Sequence, residues 1–231
     1  MLRAILLDFD GVIGDTEPLH CRGFQKILDK EGFKLSKADY YAKYLGYDDQ
    51  DCFRQFYRDQ HRRLTRTVLA SLVRRKSRFM KSVFRSRSVL LPGAKRAVQF
   101  LATRYPLAIV SGALRPEIQI ILRREALTPF VPIVIGAEDV KRGKPHPEGY
   151  LKALKTLNRK VYAPAWPLQA RECLVVEDSL WGLKAARAAG MRSVAVTSSY
   201  SRKQLKGADL IVSGIKELRG PKITRLEKMF N

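Results

Sequence analysis

The chain has 231 residues, of which 45% are hydrophobic and 29% are charged, and its formal net charge is +22. This length holds one large domain or a core domain with a smaller one, and the composition excludes a disordered protein. No apolar run approaches the roughly 20 residues that cross a bilayer, and the opening MLRAILLDFDG is not a signal-peptide pattern. The three cysteines are widely spaced, which predicts reduced thiols in a cytoplasmic protein.

Much of the positive charge lies in one block. Between residues 54 and 87 the only acid is Asp59, while arginines and lysines recur throughout. Such a block can attract nucleic acid, an anionic membrane or a phosphorylated substrate, and it is equally typical of a solvated helix face. The charge therefore indicates a bias toward anionic ligands and does not identify the protein.

Apolar runs and helical patterns alternate along most of the chain. The runs predict strands at Leu2–Phe9, Leu107–Val110, Ile133–Ile135, Cys173–Val176, Ser193–Val196 and Leu210–Val212. Between them, helical spacing predicts helices at Ala94–Tyr105, at Pro116–Ala126, from Pro147 onward and at Leu180–Ala189. This alternation predicts an α/β fold with a doubly wound parallel sheet covered on both faces.

One segment near the start breaks this alternation. It contains no convincing strand, but helical patterns cover Arg22–Lys30 and Thr67–Phe84. We therefore predict an inserted helical domain at residues 17–87 and an α/β core formed by residues 1–16 and 88–231.

Two aspartates follow the first predicted strand. Asp8 ends the apolar run, Asp10 comes two residues later, and Gly11 then permits a sharp turn. Open parallel sheets bind ligands at the carboxyl ends of their strands, so Asp8 is a candidate nucleophile and Asp10 a candidate general acid/base. The alternative is that Asp8 only caps a loop or a helix.

Polar residues also follow later strands. Ser111 directly follows Leu107–Val110 and precedes Gly112, and its hydroxyl and the nearby backbone N–H groups suit phosphoryl oxygens. The alternative is an ordinary helix N-cap. Lys144 precedes Pro145, which disfavours helical conformation, so Lys144 is either a fixed cation for a carboxylate and a phosphate or a solvated loop lysine.

An acidic pair, Glu177 and Asp178, stands at the end of the apolar run that begins at Cys173. Adjacent carboxylates at such a position suit a hard, oxygen-seeking cation such as Mg²⁺. The alternative is that Asp178 or Ser179 merely caps the helix that follows.

Together these residues resemble a known family. The order Asp-x-Asp, serine, lysine and acidic pair, each at a predicted strand end, resembles the haloacid dehalogenase (HAD) superfamily of phosphotransferases. The resemblance covers nearly the whole chain, including a helical cap inserted after the first strand. The chain is most similar to the branch that contains β-phosphoglucomutases and sugar-phosphate phosphatases.

The resemblance implies a role for each core residue. It implies that Asp8 attacks phosphorus to form an aspartyl-phosphate, and that Asp10 protonates the leaving oxygen and then activates water or a second hydroxyl. Ser111 is implied to hydrogen-bond the phosphoryl group. Lys144 is implied to neutralise that group and to orient Asp8.

The resemblance also implies Mg²⁺ as the cofactor. The expected ligands are the Asp8 side chain, the Asp10 carbonyl oxygen and the acidic pair, in which Asp178 binds directly and Glu177 binds directly or through water. A divalent cation and a lysine together offset the repulsion between a carboxylate and a phosphate dianion in a water-poor cleft.

Four further residues are candidates for substrate binding beside Gly112. Related enzymes carry a histidine, a glycine and a sugar-phosphate lysine in the cap, and the matching residues here are His20, Gly46 and Lys76. Arg115 is a candidate for contact with a distal phosphate or carboxylate of the substrate. The alternative is that Arg115 is only a surface arginine at the start of a helix.

Two departures from the mutase pattern favour a phosphatase. Related mutases carry an arginine soon after the cap glycine, where this chain has Tyr47, Asp48 and Asp49. The serine-lysine pair after their core serine is replaced by Ala113 and Leu114. A mutase must rebind a bisphosphate in two orientations, so we expect a phosphatase of a small phosphorylated metabolite, which the resemblance implies is a sugar phosphate. The alternative is a β-phosphoglucomutase-like mutase.

Two other classes of function are weaker alternatives. A nucleic-acid-binding protein with the fold of an enzyme but without its activity would use the basic block. The catalytic positions are intact, however, and the block lacks interleaved aromatic residues. A dehalogenase is disfavoured because Asp10 is the residue that phosphotransferases need. We expect a monomer with no membrane partner and only nonspecific attraction for nucleic acid.

Overall fold

The structure is a computed structural model that describes residues 1–162 and 164–230. By their internal contacts these residues divide into two compact units, here called the sheet unit (residues 1–15 and 89–231) and the helical unit (residues 16–88). The boundaries expected from the sequence differ from these by one residue at each junction, and residues 163 and 231 of the expected core lie outside the described residues. No helix of the described part has the length and apolar character needed to cross a membrane.

The described part of the sheet unit contains a parallel sheet with the strand order β3-β2-β1-β4-β5-β6. Its strands are β1 (Ala4–Leu7), β2 (Leu107–Val110), β3 (Ile133–Ile135), β4 (Cys173–Glu177), β5 (Arg192–Val196) and β6 (Leu210–Val212). The order reverses between β1 and β4, which is the topological switch point where open α/β sheets bind ligands. The predicted doubly wound α/β fold is confirmed.

The register brings the ends of the central strands level with one another. Leu7, the last residue of β1, pairs with Ile109 of β2 on one side and with Val176 of β4 on the other. All four residues of β1 are buried, as are those of β2, which explains why both read as continuous apolar runs. Polar residues that follow these strands therefore emerge at the same edge of the sheet.

The α-helices of the described residues follow the predicted order with some shifts at their ends. They are α1 (Glu17–Asp29), α2 (Lys37–Asp39), α3 (Asp49–Asp59), α4 (Arg66–Ser86), α5 (Ala94–Ala102), α6 (Arg115–Arg124), α7 (Glu148–Lys160), α8 (Leu180–Ala188) and α9 (Pro221–Met229). Helix α1 begins earlier than predicted because Pro18 fits its first turn, where no N–H donor is required. The sequence analysis named neither α3 nor α9.

The helical unit has an apolar core of its own. Helices α1, α3 and α4 contribute buried side chains to it, and the rings of Phe24 and Phe53 meet edge to face with centroids 4.9 Å apart. Helix α4 turns Leu72 and Phe84 inward, each 1% exposed, while its opposite side carries arginines. This amphipathic pattern explains how a strongly basic segment still folds.

Candidate active site

The core residues singled out from the sequence come together at the carboxyl ends of β1, β2 and β4. They are Asp8 and Asp10 after β1, Ser111 after β2, Lys144 in the loop before α7, and Glu177 and Asp178 at the end of β4. The ladder between β1 and β4 continues one residue past the strand, because the Asp8 N–H donates to the Val176 carbonyl at 2.9 Å. Asp8 is thereby held at the switch point of the sheet.

Lys144 links two of the carboxylates. Its Nζ donates to Asp8 Oδ1 at 2.6 Å and also to Glu177 Oε1. The side chains are 17%, 7% and 0% exposed, respectively, so water screens these ion pairs little. Burial alone would lower the pKa of Lys144, but the Asp8 and Glu177 carboxylates raise it well above its ordinary value. Lys144 is therefore a fixed cation at neutral pH. The Lys144–Pro145 peptide bond is cis.

Glu177 is hydrogen-bonded through both of its oxygens. Oε1 also accepts from the Tyr150 hydroxyl at 2.9 Å, while Oε2 accepts from the N–H groups of Asp178 and Ser179 at 3.0 Å and from the Ser179 hydroxyl at 2.9 Å. Burial opposes ionisation of Glu177, but Lys144 and the Ser179 donors lower its pKa below the ordinary value. Glu177 thus anchors Lys144 and the start of α8 as an ionised group.

Ser111 and Asp10 form a second polar contact at this edge. The Ser111 hydroxyl donates to Asp10 Oδ2 at 3.1 Å and accepts from the Ala113 N–H at 3.0 Å. Ser111 is buried, and its turn fixes the hydroxyl beside the Asp10 carboxylate. Asp10 lies near enough to Asp8 and Asp178 to raise the pKa of both carboxyls.

Asp178 adds another buried carboxylate. One oxygen from each of Asp8, Glu177 and Asp178 lies within 4.8 Å of the other two, and all three residues are buried. Asp178 Oδ2 also accepts a hydrogen bond from the Ser199 hydroxyl. Burial and the neighbouring Glu177 raise the pKa of Asp178 to about 8, and burial raises that of Asp8 well above its ordinary value despite Lys144.

The charges of this cluster suit a divalent cation. If all three carboxylates are ionised, the single ammonium of Lys144 leaves two negative charges uncompensated. Buried charges of this kind are costly unless a cation pairs with them, and carboxylate oxygens are the ligands that Mg²⁺ prefers. The residues present therefore fit a magnesium ion.

Gly11 allows the loop after β1 to pass close to Asp178. Its φ is +73°, and its N–H donates to the Gly14 carbonyl at 2.8 Å. A Cβ built on Gly11 would lie 1.8 Å from Asp178 Oδ2, far inside contact distance. Both the backbone conformation and the available space therefore require glycine at this position.

Gly11→Ala should lower the free energy of unfolding more than Gly32→Ala does. Gly32 has a similar φ of +78°, but a Cβ there would meet no atom within 4 Å. We expect a loss of about 1 kcal/mol for Gly32→Ala from backbone strain alone. For Gly11→Ala we expect about 3 kcal/mol, because the displaced Asp178 carboxylate adds an overpacking cost. Urea unfolding followed by circular dichroism measures both, and equal losses would show that Asp178 yields without cost.

The helical unit holds a separate group of predicted residues. Lys76 of α4 is 0% exposed, and its Nζ contacts Asp49 Oδ1, His20 Nδ1 at 2.8 Å and the Phe24 ring at 4.2 Å from its centre. An ammonium only donates, so His20 Nδ1 accepts and the ring proton resides on Nε2. Burial and then Lys76 lower the pKa of His20 well below its ordinary value, which keeps the ring neutral at pH 7.

The other residues predicted to bind substrate lie in turns or at a helix end. Gly46 has a φ of +85° in the turn before α3. Gly112 follows Ser111, and a Cβ on it would meet no atom within 4 Å. Arg115 begins α6 and is 44% exposed, and its Nη2 lies 3.3 Å from Asp139 Oδ1. Its charge is therefore already matched by a carboxylate of the sheet unit.

Two contributors to the cluster were absent from the sequence analysis. Tyr150 lies within the helix predicted from Pro147 onward, and its buried hydroxyl donates to Glu177. A buried tyrosine needs a partner for its hydroxyl, and this requirement is the signal that would have found it. Ser199 lies in the loop after β5. Ligands bind beyond the carboxyl ends of parallel strands, so its position is the signal that would have found it.

Residues 5–196 match the family model of the haloacid dehalogenase-like hydrolases. A phosphorylated carbohydrates phosphatase of Thermotoga maritima is 27% identical over 194 residues, which cover 84% of this chain and 84% of that protein. The putative phosphatase YhcW of Bacillus subtilis is 32% identical over 207 residues, covering 87% and 86%. The crystal structure of β-phosphoglucomutase from Clostridium difficile shares the fold with a TM-score of 0.84 at 21% identity, over 100% of both chains.

Proposed function

The chain belongs to the haloacid dehalogenase-like hydrolases, and from this premise we propose that it is a Mg²⁺-dependent phosphatase of a small phosphorylated metabolite, a sugar phosphate being the favoured class. The observation that carries the proposal is the buried cluster in which Lys144 bridges Asp8 and Glu177 beside Asp178. The relatives named as phosphatases, one of them for phosphorylated carbohydrates, support the reaction type and the substrate class.

In the proposed reaction Asp8 is the nucleophile. Its free carboxylate oxygen forms a bond to phosphorus while the bond from phosphorus to the substrate oxygen breaks, and protonated Asp10 gives its proton to that leaving oxygen. Asp10 then takes a proton from water, whose oxygen attacks phosphorus and releases inorganic phosphate and the Asp8 carboxylate. The contact between Asp8 Oδ1 and Lys144 supports this role, because it fixes the orientation of the carboxylate.

Ser111 and Lys144 are proposed to stabilise the phosphoryl group. The Ser111 hydroxyl donates to Asp10 Oδ2 at 3.1 Å. A phosphoryl oxygen bound near Asp8 can replace Asp10 as the acceptor of this hydrogen bond. Lys144 keeps its proton because two carboxylates face it, and it supplies a permanent positive charge at the reacting group.

The proposed ligands of Mg²⁺ are the Asp8 and Asp178 carboxylates and the Asp10 carbonyl oxygen. Glu177 already accepts hydrogen bonds on both oxygens, which favours contact with the ion through water. When bound, the ion would offset the negative charge shared by the carboxylates and the phosphoryl group.

The mutase alternative is weakened by the pairing inside the helical unit. A bisphosphate needs a cation for its second phosphate, and Lys76 is a candidate by its position. Its ammonium, however, is buried and paired with the Asp49 carboxylate, so the pair offers no net positive charge. The arginine that related mutases carry after the cap glycine is replaced by an acid in this chain, and Lys76 is neutralised by Asp49. Both observations favour a phosphatase over a mutase.

His20 and Gly46 are retained as the proposed substrate contacts of the helical unit, whereas Lys76, which is 0% exposed, is retained as the residue that holds His20 Nδ1. Neutral His20 carries its proton on Nε2, which suits donation to a sugar hydroxyl or a phosphate oxygen.

The buried thiols of Cys21, Cys52 and Cys173 support a reducing, cytoplasmic setting for the reaction.

A screen for phosphate release tests the proposal. Sugar phosphates, nucleotides and small phosphorylated acids would each be incubated with the chain, with Mg²⁺ or a chelator, and with or without a hexose bisphosphate. We expect Mg²⁺-dependent release of phosphate from one group of sugar phosphates, independent of the bisphosphate. Isomerised sugar phosphate without release, and only with bisphosphate present, would replace the phosphatase by the mutase.

A further inference from the structure

The proposed reaction makes no use of the strong positive charge of the helical unit. Residues 60–116 contain no aspartate and no glutamate, and α4 lies entirely within this stretch. Exposed helices usually pair their cations with carboxylates three or four residues away on the same helix. A helix without carboxylates cannot form such pairs. Any carboxylate or phosphate that pairs with a cation of α4 must therefore come from outside the helix.

The basic residues of α4 form one stripe. Arg74, Arg78, Lys81 and Arg85 are separated by steps of four, three and four residues, so at 3.6 residues per turn they fall within a sector of about 60°. We call this set the basic stripe. With a rise of 1.5 Å per residue it extends for about 16 Å along the helix.

The basic stripe lies on the side of α4 that faces away from the core of the helical unit. The opposite side buries Leu69, Leu72, Lys76, Ser77, Met80 and Phe84. Arg74, Arg78 and Arg85 are exposed and Lys81 is half-exposed. Among the described residues, no carboxylate forms an ion pair with Arg74, Arg78 or Lys81, whereas Arg75, which lies off the stripe, pairs with Glu31.

We propose that the basic stripe binds the phosphate backbone of a nucleic-acid duplex. Guanidinium groups hydrogen-bond phosphate oxygens in pairs, and three of the four stripe residues are arginines. A duplex carries a phosphate about every 3.4 Å along each strand, so several lie within the length of the stripe. Ala70, Ser71 and Ser82 flank the stripe with small side chains, which let the backbone approach.

The composition of the stripe favours a duplex over a membrane surface and over a single strand. A helix that binds a membrane surface inserts an apolar face, but the apolar face of α4 is buried within the helical unit. Single strands are held by aromatic stacking, and the stripe contains no aromatic residue, since Phe79 and Phe84 lie on other sides of α4. Backbone phosphates of a duplex require only the cations that the stripe provides.

Fluorescence anisotropy of a labelled DNA duplex of random sequence, titrated with the full chain, tests the proposal. We expect binding that weakens steeply between about 50 and 200 mM salt, because each phosphate contact contributes about 0.9 to the slope of log affinity against log salt. The variant Arg74→Gln/Arg78→Gln/Lys81→Gln should bind at least about tenfold more weakly and lose about 2 to 3 from that slope. Duplex RNA with the same dependence would equally support the proposal, since the recognised group is the phosphodiester backbone.

A matched control separates the stripe from the overall charge. Lys155→Gln/Arg159→Gln/Lys160→Gln removes the same charge from exposed positions of α7 in the sheet unit, and it should change duplex affinity less than about threefold. Equal weakening in both variants, or no binding by the unaltered chain at low salt, would overturn the proposal. Binding to phosphatidylserine vesicles but not to duplexes would overturn it in favour of a membrane surface. Phosphate release should persist in both variants, so the outcome is independent of the proposed phosphatase activity.

Discussion

Replacing Asp8 with asparagine should reduce phosphate release by at least about a thousandfold while the fold is retained. Asparagine keeps the shape of the side chain and an oxygen for the Lys144 contact, but its amide is not a nucleophile. Because burial holds the pKa of Asp8 above its ordinary value, the ionised carboxylate is a cost to the folded state at neutral pH. Asp8→Asn should therefore leave the melting temperature unchanged or raise it.

Asp10→Asn is the matched control for this experiment. It changes a neighbouring carboxyl in the same way, but it leaves the proposed nucleophile in place. We expect slow turnover in this variant together with a trapped phosphoenzyme, detectable as a mass increase of the intact chain, and no such adduct in Asp8→Asn. Phosphate release by Asp8→Asn at the rate of the unaltered chain would remove the nucleophile assignment, and an adduct in that variant would place the covalent step on another residue.

The fold could be predicted because its strands carry strong local signals. Leu107–Val110, Ile133–Ile135 and Leu210–Val212 were placed at their observed bounds, since short apolar runs between turns are typical of buried parallel strands. Helix α3 was missed because its mean character is polar and only Cys52, Phe53, Phe56 and Tyr57 are buried. The packing of these residues against α1 and α4, which is a tertiary effect, supplies most of the stability that their local sequence lacks.

Sheet topology made the candidate site predictable where polar residues stand at a strand end, whereas the role of Lys144 was predicted from the family resemblance. Asp8, Ser111 and Asp178 each follow a strand directly, so their convergence follows from sheet topology. Lys144 reaches the cluster from a long loop, and its two carboxylate partners could not be read from spacing. The burial of Lys76 against Asp49 was equally hidden, because it depends on how α3 packs on α4.

Lys144→Met should produce the largest loss of stability among single changes at the site. The ammonium is the shared partner of Asp8 and Glu177, and Glu177 is 0% exposed. Removing one member of a buried ion pair leaves an uncompensated charge and costs about 3–5 kcal/mol. Exposed Lys155 of α7 offers the control Lys155→Met, for which we expect a change within about 0.5 kcal/mol. Activity should also be lost in Lys144→Met, because the phosphoryl group loses its fixed cation.

Urea unfolding in the presence of a chelator, followed by tryptophan fluorescence, measures this loss in the sheet unit, where Trp166 and Trp181 both lie. The double variant Lys144→Met/Glu177→Gln should recover about 1–3 kcal/mol, because it removes a carboxylate that Lys144 had neutralised. Lys144 lowers the pKa of Asp8, Glu177 and Asp178. When it is removed, the folded state therefore keeps protons on these carboxyls to higher pH than the unfolded state does, and the loss of stability should grow as the pH rises from 5 toward 8. A loss no larger than that of Lys155→Met would show that the carboxylates are stabilised without Lys144, and its role as their bridge would have to be abandoned.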